Sequence, residues 1–206
     1  MTASLRRSIL LFLLVLAVPS LAQTVPELYR QSYALEARGD PAGALKAMEA
    51  VVARTPDYVA TLRRAWLLYL VGRYTDATVA YGKAIALEPK AVEPKLGAML
   101  PAMALRRWKE AERLGTEVLS ASPGEFLAVS RLAFIHFEQA RWDKAEAFYR
   151  QALALFPANV EMQTGLAWTW LRQGKADEAR AGFQRVLQVA PDSASAEEGL
   201  AQLTAR

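Results

Sequence analysis

The stretch Phe126–Pro157 reads FLAVSRLAFIHFEQARWDKAEAFYRQALALFP, and 34 residues further on Val160–Pro191 reads VEMQTGLAWTWLRQGKADEARAGFQRVLQVAP. Both stretches begin with an apolar segment that contains a Leu-Ala pair. Both then pass through a short polar turn, carry an alanine followed four residues later by an aromatic side chain, and end in proline. Agreement of this kind at a fixed spacing indicates an internal repeat.

The same unit recurs along most of the chain. Prolines lie at positions 56, 89, 123, 157 and 191, and an alanine precedes each of them by twelve residues. Four residues after each alanine stands Met48, Tyr81, Gly115, Tyr149 or Phe183, and three residues further on Val51, Ala84, Val118, Ala152 or Val186. Residues at i, i+4 and i+7 share one face of a helix, so these columns predict five amphipathic helices. Each helix would stop just before its proline, which cannot continue it.

A second amphipathic helix is predicted before each of these, across a tight polar turn. Three of the turns contain glycine, at Gly39, Gly72 and Gly174, which suits the left-handed backbone that ends many helices. Asp40-Pro41 is typical of a helix start, with a capping side chain followed by proline at the first helical position. The unit is therefore a helix–turn–helix hairpin, and since one hairpin cannot bury its apolar face alone, five should stack into a solenoid.

This spacing and these residue types resemble the tetratricopeptide repeat (TPR). The resemblance covers roughly residues 25–192, is clearest in the two stretches quoted above and is poorest between residues 92 and 123. It implies an all-α fold, a right-handed α-solenoid of about five helix-turn-helix hairpins plus a C-terminal capping helix. The repeats would span about 25–57, 58–91, 92–125, 126–159 and 160–192, with the capping helix at 193–204.

The middle repeat departs from the pattern in three ways. Pro101 falls inside a predicted helix, where proline costs about 3 kcal/mol and kinks the axis. Gly115 replaces the large side chain of the other repeats, and Arg106 replaces the turn glycine. Two interpretations follow: a degenerate repeat held in place by its neighbours, or a bend that opens the superhelix.

The N-terminus has the three parts of a secretory signal. Arg6 and Arg7 are followed by an unbroken apolar run at 9–18, and Ser20-Leu21-Ala22 offers a cleavage site. The run is about half the ~20 residues that span a bilayer, which favours a cleaved signal at 1–22 over a retained membrane anchor. The solenoid domain would then comprise residues 23–206. The expected location is the bacterial periplasm or the outside of the cell, with no lipid anchor because the chain has no cysteine.

Composition argues against several classes of function. The net charge of +4 includes Arg6 and Arg7 of the signal, and no basic stripe of the kind that neutralises phosphates is present, so we expect no nucleic-acid partner. The chain lacks cysteine and has a single histidine, His136, in a position where the other repeats and the TPR pattern suggest a packed aromatic. We therefore expect no metal site, no cofactor and no enzymatic activity.

The resemblance also implies that the first helix of each hairpin lines a concave groove, where a protein or peptide partner lies. Alignment on the five prolines assigns to this surface Tyr29, Tyr33, Leu62, Trp66, Tyr69, Leu96, Leu100, Met103, Ser130, Phe134, Phe137, Thr164, Trp168 and Leu171. Charged residues, among them Arg63 and Arg131, are expected only at the borders. An alternative for each of these side chains is a place in the core between repeats.

The nature of this stripe predicts what kind of segment it would bind. Family members that grip a C-terminal carboxylate use Lys, Arg and Asn, and Arg63 alone is of that kind at the corresponding positions here. An aromatic and aliphatic stripe instead favours an apolar or amphipathic segment. The leading hypothesis is an adaptor of the cell envelope, for example in secretion or pilus assembly. The alternative is a homo-oligomeric scaffold whose groove is closed by self-association.

Overall fold

The computed structural model of the chain describes residues 23–204, so the predicted signal at 1–22 lies outside the described residues. Within this range the chain is all-helical, and the five predicted hairpins and the C-terminal helix are confirmed. The helices are α1 (Val25–Ala37), α2 (Pro41–Val52), α3 (Tyr58–Leu70), α4 (Tyr74–Leu87), α5 (Glu93–Ala104), α6 (Trp108–Ala121), α7 (Phe126–Glu138), α8 (Trp142–Leu155), α9 (Val160–Arg172), α10 (Ala176–Val189) and α11 (Ala194–Thr204).

Helix order sets the curvature of the solenoid. Each helix packs against the next one in the chain, and the first helices also contact one another across hairpins: α3 with α5, α5 with α7, α7 with α9 and α9 with α11. Among the described residues the second helices, α2, α4, α6, α8 and α10, make no such contact with each other. The first helices are therefore closer together and form the inner, concave face.

The alanine column predicted from the sequence lies at the centre of every hairpin. Its members are completely buried, and the large side chains four residues further on are completely or almost completely buried: Ala44, Ala77, Ala111, Ala145 and Ala179, with Met48, Tyr81, Tyr149 and Phe183. Alanine lets the paired helices approach closely, and the larger side chain fills the space towards the next hairpin. The repeat pattern is thus a packing pattern.

Three of these large side chains insert against a glycine of the following hairpin or capping helix, a contact that the sequence did not predict. A Cβ at Gly97 would lie 2.2 Å from Cε1 of Tyr81, and one at Gly165 would lie 2.4 Å from Cε1 of Tyr149. At Gly199 in α11 the corresponding distance, to Cζ of Phe183, is 2.3 Å. No real Cβ fits at such distances, so glycine is what allows each ring to seat there.

The middle repeat is compensated by its neighbours. Helix α5 continues from Glu93 to Ala104 through Pro101, which is buried. A Cβ at Gly115 would lie 2.8 Å from Cε of Met99 and 3.0 Å from Cγ of Leu132, so these two side chains occupy the space that an aromatic takes in other repeats. Packing from both sides supports the interpretation of a degenerate repeat held in place by its neighbours.

The turn within each hairpin has the same left-handed residue, whether or not it is glycine. The φ angles are 78° at Gly39 and 77° at both Gly72 and Gly174, as the sequence predicts, but 54° at Arg106 and at Ala140. A side chain in this region strains the backbone by about 1–2 kcal/mol. Ala140 and Arg106 are therefore tolerated because the hairpin on either side fixes the turn.

We expect Ala140→Gly to raise the free energy of unfolding by about 0.5–1 kcal/mol, because relief of left-handed strain outweighs the greater freedom of glycine in the unfolded chain. The matched control is Ala147→Gly, at an exposed position inside α8, which should cost about 1 kcal/mol. Urea denaturation of both variants measures the difference. Destabilisation of similar size in both would show that Ala140 is not strained.

Candidate functional site

The concave face carries an open groove made of two adjoining hollows. The N-terminal hollow has a volume of about 600 Å³ and is lined by Tyr33, Val59, Leu62, Arg63, Trp66, Tyr81, Val92, Glu93, Leu96, Gly97, Leu100, Glu125, Leu127 and Arg131. The C-terminal hollow has a volume of about 790 Å³ and is lined by Met103, Phe126, Leu127, Ser130, Arg131, Phe134, Phe137, Tyr149, Glu161, Met162, Thr164, Gly165, Trp168, Arg172, Ser195 and Glu198. Leu127 and Arg131, both on α7, line the two hollows at once.

Most of the side chains that the sequence assigns to the groove lie in one of the hollows. The N-terminal hollow brings together Tyr33, Leu62, Trp66, Leu96 and Leu100, and the C-terminal hollow brings together Met103, Ser130, Phe134, Phe137, Thr164 and Trp168. Their role in binding a partner stays a prediction.

Three assigned residues lie elsewhere. Leu171 is only 2% exposed and packs in the core with Phe183, so its assignment to the groove was wrong. It lies on the side of α9 that the second helix of the hairpin covers. Tyr29 and Tyr69 are half-buried and pack against the N-terminal core, outside both hollows.

A further column of groove residues was not predicted from the sequence. One position at the start of each first helix after α1 lines a hollow, and its occupants follow one another at intervals of 34 residues: Val59, Glu93, Leu127, Glu161 and Ser195. Val59 is 56% exposed and Leu127 is 45% exposed. The fixed spacing was a signal that could have identified them, since large apolar side chains at an exposed column are unusual.

Arg63 is fully engaged within the N-terminal hollow. Its Nη1 lies 2.9 Å from Oε2 of Glu36, its Nη2 donates to Oγ of Ser32 at 2.9 Å, and its guanidinium stacks 3.6 Å from the ring centroid of Tyr33. The indole of Trp66 donates to Glu36 at 2.6 Å. This cluster fixes the aromatic side chains at the N-terminal end, and it leaves Arg63 no free charge for a partner's carboxylate.

Arg131 is placed differently. The sequence suggested a position at the border, but the side chain lies in the middle of the groove, between the two hollows. It is half-buried, and its Nη1 donates to the carbonyl oxygen of Leu96 at 2.6 Å. Burial lowers the pKa of the Arg131 guanidinium from its usual value.

Polar groups at the C-terminal end belong to α9 and α11. The indole of Trp168 donates to Oγ of Ser195 at 2.9 Å, which ties the capping helix to the groove. Arg172 is exposed and lies 5.5 Å from the ring centroid of Trp168. The indole is thereby held between a hydroxyl and a cation at the wall of the C-terminal hollow.

His136 packs as a core residue. It is 2% exposed, its ring stacks on Phe148 with centroids 5.2 Å apart, and Nε2 lies 3.9 Å from Oε1 of Glu112. Burial lowers the pKa of His136, so the neutral form prevails in the folded chain near neutral pH. Among residues 23–204, no group of three His, Asp or Glu side chains could hold a metal ion, and no helix is long and apolar enough to cross a bilayer.

Two models of the tetratricopeptide repeat match the sequence, one at residues 29–92 and 101–160 and the other at residues 141–203. The chain belongs to the tetratricopeptide repeat family. None of the curated proteins matches the chain. The family assignment therefore rests on the repeats themselves, and it agrees with the hairpins and the concave groove described above.

Solved structures of TPR proteins share the fold. A TPR protein from Parabacteroides merdae has a TM-score of 0.77 at 19% identity, over 87% of this chain and 72% of that one. MamA from Desulfovibrio magneticus has a TM-score of 0.75 at 19% identity, over 84% and 98%. A thermophilic TPR protein of Thermus thermophilus has a TM-score of 0.67 at 22% identity, over 89% and 100%. The fold is that of a scaffold for protein–protein interaction, and TPR proteins are in general non-enzymatic adaptors.

Proposed function

We propose that this TPR protein is an adaptor that holds an apolar or amphipathic segment of a partner protein in its concave groove. The observation that carries the proposal is the exposure of large apolar side chains there. Tyr33 is 55% exposed, Phe134 is 42% exposed, and Leu127 stands between the hollows. Side chains of this kind remain uncovered at a cost in free energy, and their concentration on one surface is typical of an interface.

The electrostatic character of the groove fits such a segment. Arg63 is neutralised by Glu36 within the chain, and the acidic residues Glu93, Glu161 and Glu198 are spread along the groove rather than clustered. Binding would therefore draw mainly on burial of apolar surface, with polar contacts fixing the register.

Affinity purification from the native cell tests this function, using Leu127→Ala and Phe134→Ala as groove variants. The controls are Val79→Ala on α4 and Val189→Ala on α10, which are 57% and 64% exposed but lie outside both hollows. Partners that the wild-type chain and the control variants retain should be lost or strongly reduced with both groove variants. Equal recovery with all four variants would contradict binding in the groove.

Self-association through the same apolar side chains is the alternative that this surface also permits. Light scattering of the purified chain distinguishes it, because a homo-oligomeric scaffold would be larger than a monomer and the groove variants would restore the monomer. A monomer at high concentration would leave the adaptor as the function.

We also propose that the adaptor works outside the cytoplasm, in the bacterial envelope or beyond it. Support comes from the sequence of residues 1–22, with Arg6 and Arg7, the apolar run and Ser20-Leu21-Ala22. Mass spectrometry of the protein isolated from its own cells should find Gln23 as the first residue, in the extracytoplasmic fraction. An intact Met1 in the cytoplasmic fraction would contradict export.

A further inference from the structure

The two half-buried arginines of the groove, Arg63 and Arg131, differ in what they contact. Arg63 has Glu36 as a partner at 2.9 Å. In the described part of the chain, none of the ion pairs includes Arg131. Its one side-chain hydrogen bond is to the neutral carbonyl of Leu96, which uses one of five N–H donors.

The sequence explains why an arginine stands at this place. The same position in α5, α9 and α11 is a glycine that receives the ring of the preceding hairpin: Gly97, Gly165 and Gly199 receive Tyr81, Tyr149 and Phe183. Arg131 occupies this position in α7, and the preceding hairpin has Gly115 in place of the ring. The space that a glycine must otherwise leave for an aromatic is therefore free, and a long cationic side chain takes the position.

The acidic side chains nearest in the groove are engaged elsewhere. Glu125 accepts from the backbone N–H of Leu127 at 3.1 Å and so caps α7, while Glu93 accepts from the hydroxyl of Tyr58 at 3.4 Å. A half-buried guanidinium loses part of its hydration without gaining a carboxylate in return, which leaves it poorly compensated in the free protein. A carboxylate supplied by a bound partner would make a charge-assisted hydrogen bond in this partly desolvated place.

We propose that the partner segment carries an internal aspartate or glutamate that pairs with Arg131, with apolar side chains on both sides of it that enter the two hollows. This inference rests on the proposed function and specifies the chemistry of the partner. The position of Arg131 argues for an internal side chain rather than a chain terminus. A C-terminal carboxylate at Arg131 would leave one of the two hollows, and its exposed apolar lining, without an occupant.

Arg172 does not offer an equivalent site. It also lines the groove, but it is exposed at the C-terminal end, where water solvates the guanidinium and a partner's carboxylate would gain little. The acidic residue of the segment is therefore expected at the middle of the groove, which fixes the register of the apolar residues around it.

A library of random dodecapeptides, displayed on phage through their C-termini so that no free carboxylate is present, tests the inference with the purified full chain as bait. Enriched peptides should share one Asp or Glu with aromatic or aliphatic residues on both sides. Panning against Arg131→Met should retain the apolar residues and lose the acidic one. Arg185→Met, at an exposed position on α10 outside the groove, is the matched control and should select the same peptides as the wild-type chain.

A second measurement needs no protein variant. The best enriched peptide and its Asp→Asn or Glu→Gln form are compared on the wild-type chain by fluorescence anisotropy, and the neutral form should bind roughly tenfold more weakly or worse. Equal affinity would overturn the inference, as would enrichment of acidic peptides by Arg131→Met at the wild-type level. Enrichment of apolar peptides without an acidic residue would overturn the inference alone, whereas a failure to enrich any peptide would count against the groove itself.

A parallel library with free peptide C-termini distinguishes the source of the carboxylate. Internal acidic residues enriched in both libraries support the inference. Enrichment that requires a free C-terminus, with no internal acidic residue, would overturn it in favour of recognition of the chain end.

Discussion

Phe183→Ala is expected to lower the free energy of unfolding by about 3–5 kcal/mol, whereas Phe134→Ala should cost less than about 1 kcal/mol. The same atoms are removed in both variants, so the difference measures the environment alone. Phe183 is completely buried, and Phe134 is 42% exposed in the groove.

The expected loss at Phe183 follows from what its ring contacts. It sits against Gly199 of α11 and within the cluster that contains Ala167 and Leu171, so its removal leaves a cavity between the last hairpin and the capping helix. Because each repeat is stabilised by its neighbours, the damage should appear first as loosening of α10 and α11.

Urea denaturation followed by circular dichroism gives the two free energies, and hydrogen exchange locates the loosened helices. Similar losses in Phe183→Ala and Phe134→Ala would mean that the ring of Phe134 is also a core residue, which would remove a main support for the groove. Unchanged exchange in α10 and α11 of Phe183→Ala would contradict the seating of its ring against the capping helix.

Gly165→Ala is expected to destabilise the chain by about 1–3 kcal/mol, although alanine is the better helix former by about 1 kcal/mol. The added Cβ would lie 2.4 Å from Cε1 and 2.5 Å from Cζ of the buried Tyr149, so the ring must leave its place between the fourth and fifth hairpins. The clash therefore outweighs the helical preference.

The matched control is Gly82→Ala in α4, where an added Cβ meets no atom within 4 Å. That variant should be stabilised by about 1 kcal/mol, since only the helical preference acts. Thermal unfolding of both variants decides the matter by the sign of the change in Tm. Stabilisation by Gly165→Ala would show that Tyr149 does not seat against Gly165. Combination of Gly165→Ala with Tyr149→Leu provides a further check, because the second substitution should recover part of the loss.

The hairpins could be predicted from the sequence because they are local. A helix face, its capping residues and its turn lie within one unit of 34 residues, and five copies of the pattern display the columns repeatedly. Asp40, for example, caps α2 as predicted, with its Oδ1 accepting from the N–H of Gly43 at 2.8 Å.

Contacts between hairpins were not predictable in the same way. Gly97, Gly165 and Gly199 read as weak points of a helix until the ring from the preceding hairpin is seen against them. Leu171 was assigned to the groove because the helical pattern alone does not tell which side of α9 its neighbours cover. Ala140 adopts a left-handed conformation that its side chain disfavours, and only the fixed geometry of the hairpin imposes it.

The polar residues of the groove illustrate the same limit. Arg63 and Arg131 appear alike in the sequence, and both were expected at the borders. Their difference arises from Glu36, which lies one hairpin away from Arg63 and reaches only that arginine. The charge of a residue can be read from the sequence, but whether that charge is neutralised depends on contacts between repeats.

Site-specific photo-crosslinking in the native cell tests the central claim, that the concave groove is the surface at which a partner binds. A photoreactive amino acid replaces Leu127 in the groove in one strain and Val79 on α4 in another; both side chains are exposed. We predict a covalent adduct with a partner protein from position 127 and none from position 79. Adducts from position 79 with no adduct from position 127 would contradict the claim.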